Sequence, residues 1–299
     1  MKHLTLLLLL GCGSDLAPTS SVTKARLIGV EVTVADDRER STPMVEEDFR
    51  AKLLFAFPAA DEPVSWFVVV CPGAPSTIGA GFCGSGTLAS ASHPTPSTEP
   101  AIAELDLPRA TLDEPADLLL VGGFCAGGVV RTADPSELTS DGLSSAQACE
   151  DSNLTGSFFT AELPIQREPV DENRRPMIDP ILDGSPWEDT DGDCSSGILP
   201  TVSPASITEI GIASRGDTHE RYVERTDDGD EERVEEFQIS NLSNGGEFAR
   251  SFVFVNENAP LATVEFTAPP ISKRLEFHFV ARDGRGGVRR VRRSLCVQP

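Results

Sequence analysis

The chain has 299 residues, enough for one large domain or two ordinary ones. Acidic residues outnumber basic ones 47 to 25, a net charge of −22. That balance excludes a nucleic-acid surface, whose phosphates require positive charge, and adhesion to anionic headgroups by charge alone. With 23 prolines, 25 glycines and no long helical periodicity, an α/β enzyme core is also disfavoured.

Residues 1–12 read MKHLTLLLLLGC. Lys2 gives a basic start, and Leu4 to Leu10 form an apolar run broken only by Thr5. Spanning a bilayer takes about 20 apolar residues, whereas the hydrophobic region of a secretory signal needs about 7 to 15. Leu9-Leu10-Gly11-Cys12 resembles the bacterial lipobox. The resemblance implies a signal peptide over 1–11, cleavage before Cys12, diacylglycerol on the Cys12 sulfur, and a membrane as partner through that lipid. Each buried methylene contributes about 0.8 kcal/mol, so two or more chains anchor stably. Gly13, where an inner-membrane retention signal often has Asp, implies the outer membrane of a Gram-negative cell. Residues 12–23 are small and polar, as in a flexible tether.

Seven cysteines are present. Setting Cys12 aside leaves an even number in a chain read as exported, so disulfides are expected. Several pairings are open; sequence proximity favours Cys71–Cys83, Cys125–Cys149 and Cys194–Cys296. Loops of these sizes stabilise by about 3 to 5 kcal/mol each in the chain-entropy picture. A zinc site is the rival, but no Cys-x-x-Cys pair exists and the histidines are scattered.

From Lys24 the pattern is β. RLIGVEVTV alternates, placing Ile28, Val30, Val32 and Val34 on one face. Phe49 to Phe57, the nearly all-apolar Val64 to Cys71, Ala101 to Leu107, Asp117 to Cys125 and Gly156 to Leu163 read as further strands. Residues 135–150 suggest a short helix in a loop clipped by Cys125–Cys149. Residues 164–180 carry four prolines and dense charge, a linker composition. Beyond it, strands are expected over 206–213, 234–240, 247–255, 262–266, 274–281 and the final VRRVRRSLCV, with a hairpin turn at Asp283-Gly284-Arg285-Gly286-Gly287. Leu275, Phe277 and Phe279 share one face, with Glu276 and His278 on the other, polar one.

Many short strands with turn signals between them indicate an all-β chain of sandwiches. The expected organisation is a β-sandwich over 24–166, a linker over 167–171 and a second sandwich over 172–299. The C-terminal part resembles bacterial immunoglobulin-like modules of the cadherin/PKD type. The resemblance is carried by Gly245-Gly246, Thr267-Ala268-Pro269, Leu275 to Val280 and Asp283 to Gly287, with Asn173 to Pro176, Ile178 and Asp183-Gly184 as the module's start. The mature chain as a whole looks like a family of Gram-negative lipoproteins built this way. It departs from antibody-type domains, since Trp66 lies only five residues before Cys71. The resemblance implies immunoglobulin-like sandwiches and says little about function.

Candidate sites are few. Glu188-Asp189-Thr190-Asp191-Gly192-Asp193 alternates carboxylates, so Asp189, Asp191 and Asp193 are candidate calcium ligands, and Ca²⁺ is the one cofactor considered. The segment departs from an EF-hand, because Cys194 stands where that loop has glycine. Asp227 to Glu236 is an acidic run expected at a hairpin tip. Arg282, Arg285, Arg289, Arg290, Arg292 and Arg293 form a basic cluster suited to a polyanion or to weak pairing with that run. Gly84-Ser85-Gly86 lacks the strand–turn–helix setting of a nucleophile elbow. His93, His219 and His278 have no catalytic partner in sequence. Trp66 is expected in the core, and Trp187 in a loop where it meets a ligand or caps the second domain. These readings converge on a non-catalytic envelope module with a protein or glycan partner and no nucleic acid. Calcium- or glycan-dependent adhesion is the alternative, and a hydrolase the third.

Overall fold

The computed structural model describes residues 19–44, 47–58, 62–74, 82–83, 86–105, 118–131, 148–165, 173–190, 192–215, 218–226 and 229–299. Outside them lie Cys12 with the signal and most of the tether, Ser85, Asp191, the 167–171 linker, and nearly all of the helix expected over 135–150. The described residues are all-β.

Eight strands form the first unit: β1 (Arg26–Val34), β2 (Phe49–Ala56), β3 (Val64–Ala74), β4 (Phe82–Cys83), β5 (Ala89–Ser97), β6 (Ile102–Leu105), β7 (Leu118–Ala126) and β8 (Thr155–Leu163). They make two antiparallel sheets, β1-β2-β6 and β4-β3-β7-β8, with β5 also on β3. Trp66, Val68, Val70, Leu120 and Phe124 meet Phe49, Leu53 and Phe55 between them. Strand β7 is buried at every position, because its sheet is covered on both faces. Leu118, Leu120 and Phe124 enter the core, while Leu119, Val121 and Cys125 join Phe67, Val69, Cys71, Val130 and Cys149 in a second cluster.

The second unit continues with β9 (Ile178–Leu182), β10 (Ser185–Pro186), β11 (Thr201–Val202), β12 (Ile207–Ser214), β13 (Arg221–Thr226), β14 (Gly229–Val234), β15 (Glu236–Ser243), β16 (Glu247–Phe248), β17 (Phe252–Asn256), β18 (Leu261–Thr267), β19 (Lys273–Arg282) and β20 (Val288–Val297). Sheets β10-β9-β12-β18-β16 and β11-β20-β19-β15-β17 face each other, and β11 runs parallel to β20. Ile210, Ile212, Val264 and Phe266 pack on Phe237, Ile239, Phe277 and Phe279. Gly246 sits at φ 72°, and a Cβ there would lie 2.4 Å from the Phe266 ring and 2.5 Å from the Thr267 carbonyl, so only glycine fits.

Three disulfides, Cys71–Cys83, Cys125–Cys149 and Cys194–Cys296, have Cα separations of 5.5, 5.1 and 5.5 Å, within the normal range.

Several expectations need correction. The alternation in β1 is interrupted by a bulge between Leu27 and Gly29, which turns Ile28 away from Val30 and Val32. In β6, Ala103 and Leu105 point inward and Ile102 is exposed, so this large apolar side chain is not part of the core. The Ser/Pro/Thr stretch around His93 forms the edge strand β5, where Pro94 and Pro96 are tolerated because, among the described residues, no further strand pairs there. Trp187 is buried at 3% exposure, its ring 5.1 Å from Phe277 and 6.1 Å from Phe279, so it caps the second core.

The tether ends earlier than Thr23. Ser20 and Val22 are buried, Val22 N donates to Ser243 O at 2.8 Å, and Ser243 N donates to Ser20 O at 3.0 Å. Backbone pairing and burial of Val22 outweigh the flexibility that the small polar composition suggested.

Candidate functional site

The bulge in β1 has a purpose in packing. Ile28 joins Leu54 and Ala56 on the outer face of the β1-β2-β6 sheet, and these meet Leu242, Val280 and Val22. The two sandwiches are thereby stacked sheet against sheet. Gly29 allows the approach: a Cβ there would lie 3.2 Å from Val288 and 3.6 Å from Leu54 and Val280. The face of β19 read as polar is buried as well at His278 and Val280. His278 is 2% exposed, and burial together with Arg290, Arg292 and Arg26 pushes it down to about 3, although Glu276 Oε1 lies 3.4 Å from its Nε2. It is therefore a neutral structural histidine at neutral pH.

The basic cluster is engaged inside the protein. Arg282 donates to Ser240 Oγ at 3.0 Å and to the Ile28 carbonyl, and Arg290 donates to the Phe55 carbonyl at 2.9 Å. Arg293 donates to the Trp187 carbonyl, and Arg175 pairs with Glu31 at 2.6 Å. Strand carbonyls at a sheet edge or bulge need donors, and a long guanidinium side chain supplies them across the seam. This corrects the polyanion reading for Arg282, Arg290 and Arg293.

Arg285 joins the acidic run to the turn after β19. Its Nη1 donates to Glu235 Oε1 at 2.8 Å and to Glu220 Oε2 at 3.3 Å, and its guanidinium carbon lies 4.5 Å from the Tyr222 ring centroid. Glu235 is 1% exposed, and its Oε2 accepts from Glu220 N at 3.2 Å. Burial pushes Glu235 up to about 7 despite Arg285. Asp283 rises to about 6 for the same reason. Its Oδ1 accepts from Arg285 N and Gly287 N, and the Asn173 side chain lies beside the carboxyl and offsets part of the rise. The pairing of acidic and basic segments is thus partly buried, not the surface pairing expected.

The raised value sets a pH dependence. The folded chain holds a proton that the unfolded chain releases near pH 4.5, so ionising Glu235 opposes folding. The penalty begins near 4.5, grows as pH rises towards 7, and is full above it. Relative to wild type, Glu235→Gln should therefore gain melting temperature between pH 5 and pH 7 in thermal scans and level off above it. A difference that does not change with pH would contradict the buried carboxyl.

A cleft of 410 Å³ opens along the seam, with Lys52, Arg290, Arg292, Glu31, Glu276 and Asp189 among its lining residues. Arg292 approaches Glu276 at 3.7 Å. Such walls offer ionic and hydrogen-bonding contacts to a polar ligand. The candidate calcium ligands that are described have separate settings. Asp189 lines this cleft, Asp191 is outside the described residues, and Asp193 caps its own turn. Asp193 Oδ1 accepts from Ser195 N, Ser195 Oγ and Ser196 N at 2.9, 2.6 and 2.9 Å, and these bonds hold its carboxyl below the usual range. Among the described residues, no group of three or more His, Cys, Asp or Glu is placed to hold a metal.

One arrangement escaped the sequence. His219 Nε2 lies 2.8 Å from Ser214 Oγ, its Nδ1 lies 3.1 Å from the Glu235 carbonyl, and its ring stacks on Phe237 at 4.3 Å. The pair has nucleophile-and-base spacing. Ser214 is only 8% exposed, however, with its hydroxyl also directed at the Pro260 carbonyl at 3.4 Å. That geometry ties β12 to the segment before β15. Ser214 and His219 lie five residues apart in no recognisable motif, which left no signal of the contact.

No family model matches the sequence, and no curated protein matches it. Among solved structures the chain is similar to the D00-D0 domain of intimin, at 7% identity over 90% of this chain and 100% of that one, with a TM-score of 0.27. It is similar to the adhesin InvE of Yersinia pseudotuberculosis, at 8% identity over 91% of this chain and 60% of that one, with a TM-score of 0.24. It is also similar to E. coli alpha-2-macroglobulin, at 8% identity over 92% and 16%, with a TM-score of 0.26. Superpositions at such scores support no inference about function.

Proposed function

We propose that the chain is a non-catalytic binding or structural module of a bacterial envelope, exported, cleaved before Cys12 and held on a membrane by lipid on that cysteine. The observation that supports it is the bridging of all six cysteines that follow Cys12. Such bonds persist in oxidising compartments outside the cytoplasm. The one cysteine left over stands in the lipobox-like Leu9-Leu10-Gly11-Cys12.

The docking of Ser20 and Val22 adds a geometric consequence. Seven residue steps lead from Cys12 to Thr19. Fully extended they reach about 25 Å, so the stacked sandwiches are held close to the anchoring surface. Substituting Cys12→Ala tests the anchor. Wild type should partition into the detergent-rich phase of a membrane extract, and the variant should lose that partition. A variant that stays membrane-bound would contradict lipid anchoring.

A further inference from the structure

The first sandwich is open along one side. Its smaller sheet ends at β1 and its larger sheet at β8. Each is nine residues long and, among the described residues, has no strand on its outer edge. Between them runs a groove of 540 Å³, walled by the consecutive residues Lys24–Val30 on one side and Thr155–Glu162 on the other. Side chains of a strand alternate between faces, so a wall made of consecutive residues presents the main chain itself. The floor is apolar. Val30, Val32 and Phe124 reach it from the buried side, and Phe159 and Ala161 from β8 are only half-buried.

Natural proteins blunt long edges with prolines, charges or brevity. This chain does so elsewhere: β5 carries Pro94 and Pro96, while β10 and β16 have two residues each. Strand β8, TGSFFTAEL, has no proline and a single charge, Glu162, near its end. The rim adds a second signal. In a chain of net charge −22, the ionisable groups around this groove are Lys24 and Arg26 against Glu162, with Arg282 already bonded to Ser240 and the Ile28 carbonyl. The Arg26 guanidinium donates through Nη2 to Thr19 O at 2.9 Å, and its buried Nε makes no hydrogen bond among the described residues.

We propose that an extended peptide segment of a partner protein, apolar at alternate positions and acidic at its ends, adds to β8 as a further strand in this groove. Main-chain pairing supplies the attachment, the half-buried Phe159 and Ala161 supply the apolar pockets, and the basic rim selects the charge. An anionic amphiphile would fit the floor and the rim but would leave the exposed strand donors unused. The inference gives the proposed binding role its partner class. It is tested in solution, so lipid anchoring does not enter the outcome.

The probe is a synthetic peptide of alternating Val and Thr with Asp at both ends, titrated into the full chain and followed by hydrogen–deuterium exchange. The proposal expects slowed exchange over Thr155–Glu162. Methylating alternate peptide nitrogens should weaken binding at least tenfold, because the pairing donors are gone. Replacing the terminal aspartates with lysines should weaken it about tenfold, the scale of two partly exposed ion pairs. Equal binding by the methylated peptide, protection confined to other strands, or no binding by any peptide at millimolar concentration would overturn it. So would decanoate protecting the same amides as well as the peptide does, which would reassign the groove to amphiphiles.

Discussion

Removing the Cys194–Cys296 bridge with Cys194→Ala and Cys296→Ala should lower the stability of the second sandwich by about 4–5 kcal/mol. The bridge spans 102 residues, the longest of the three closures, so it constrains the unfolded chain most. It also joins the loop before β11 to the last strand, where Cys296 N donates to Pro200 O at 2.8 Å and Gln298 Nε2 to Cys194 O at 2.9 Å. Alanine at both positions avoids burying a hydroxyl at Cys296, which is 1% exposed. The chain has two tryptophans, and Trp187 belongs to the second core while Trp66 belongs to the first. In a Trp66→Phe background, urea unfolding followed by Trp187 fluorescence reads the affected unit alone. A loss below about 1 kcal/mol would mean that the unfolded chain gains little freedom when the bridge is absent.

Phe277→Ala should cost about 3–5 kcal/mol in the same assay. Its side chain is fully buried, with ring centroids of Phe266, Trp187, Phe248 and Phe279 at 4.8, 5.1, 5.9 and 6.3 Å. Truncation removes the centre of this aromatic group, and the strands on either side of β19 limit collapse into the space. The neighbouring Phe279→Leu should cost less, since most of the volume is retained. A loss near zero for Phe277→Ala would show that the second core repacks freely, contrary to a sandwich sealed by Trp187.

The strands were legible where burial alternates or is continuous. The run Val64 to Cys71 and the all-apolar β7 announced a sheet covered on both faces, and Leu275, Phe277 and Phe279 announced an inward face. What remained hidden is the packing of one sandwich on the other. Local pattern shows which residues of β19 share a face, but not whether a second sheet covers it, so His278 passed for a solvated residue and the arginines of β20 for a free basic surface. One cue was present: Leu53, Leu54, Phe55 and Ala56 form an unbroken apolar run, as a strand buried on both faces requires. The docking of Ser20 and Val22 on Ser243 depends on long-range geometry that composition does not encode, and the Ser214–His219 contact, though local, carries no motif. The calcium reading treated Asp189 and Asp193 as free carboxylates, whereas the Asp193 oxygen satisfies the donors of its own turn.

The most direct measurement is the intact mass of the protein from a membrane fraction, taken before and after reduction and alkylation. Export with acylation predicts a chain beginning at Cys12, heavier by two or three fatty acyl groups. It predicts no alkylation without reductant and six alkylated cysteines after reduction, since the other six of the seven are bridged. A chain still beginning at Met1 without lipid, or cysteines that alkylate freely before reduction, would contradict it.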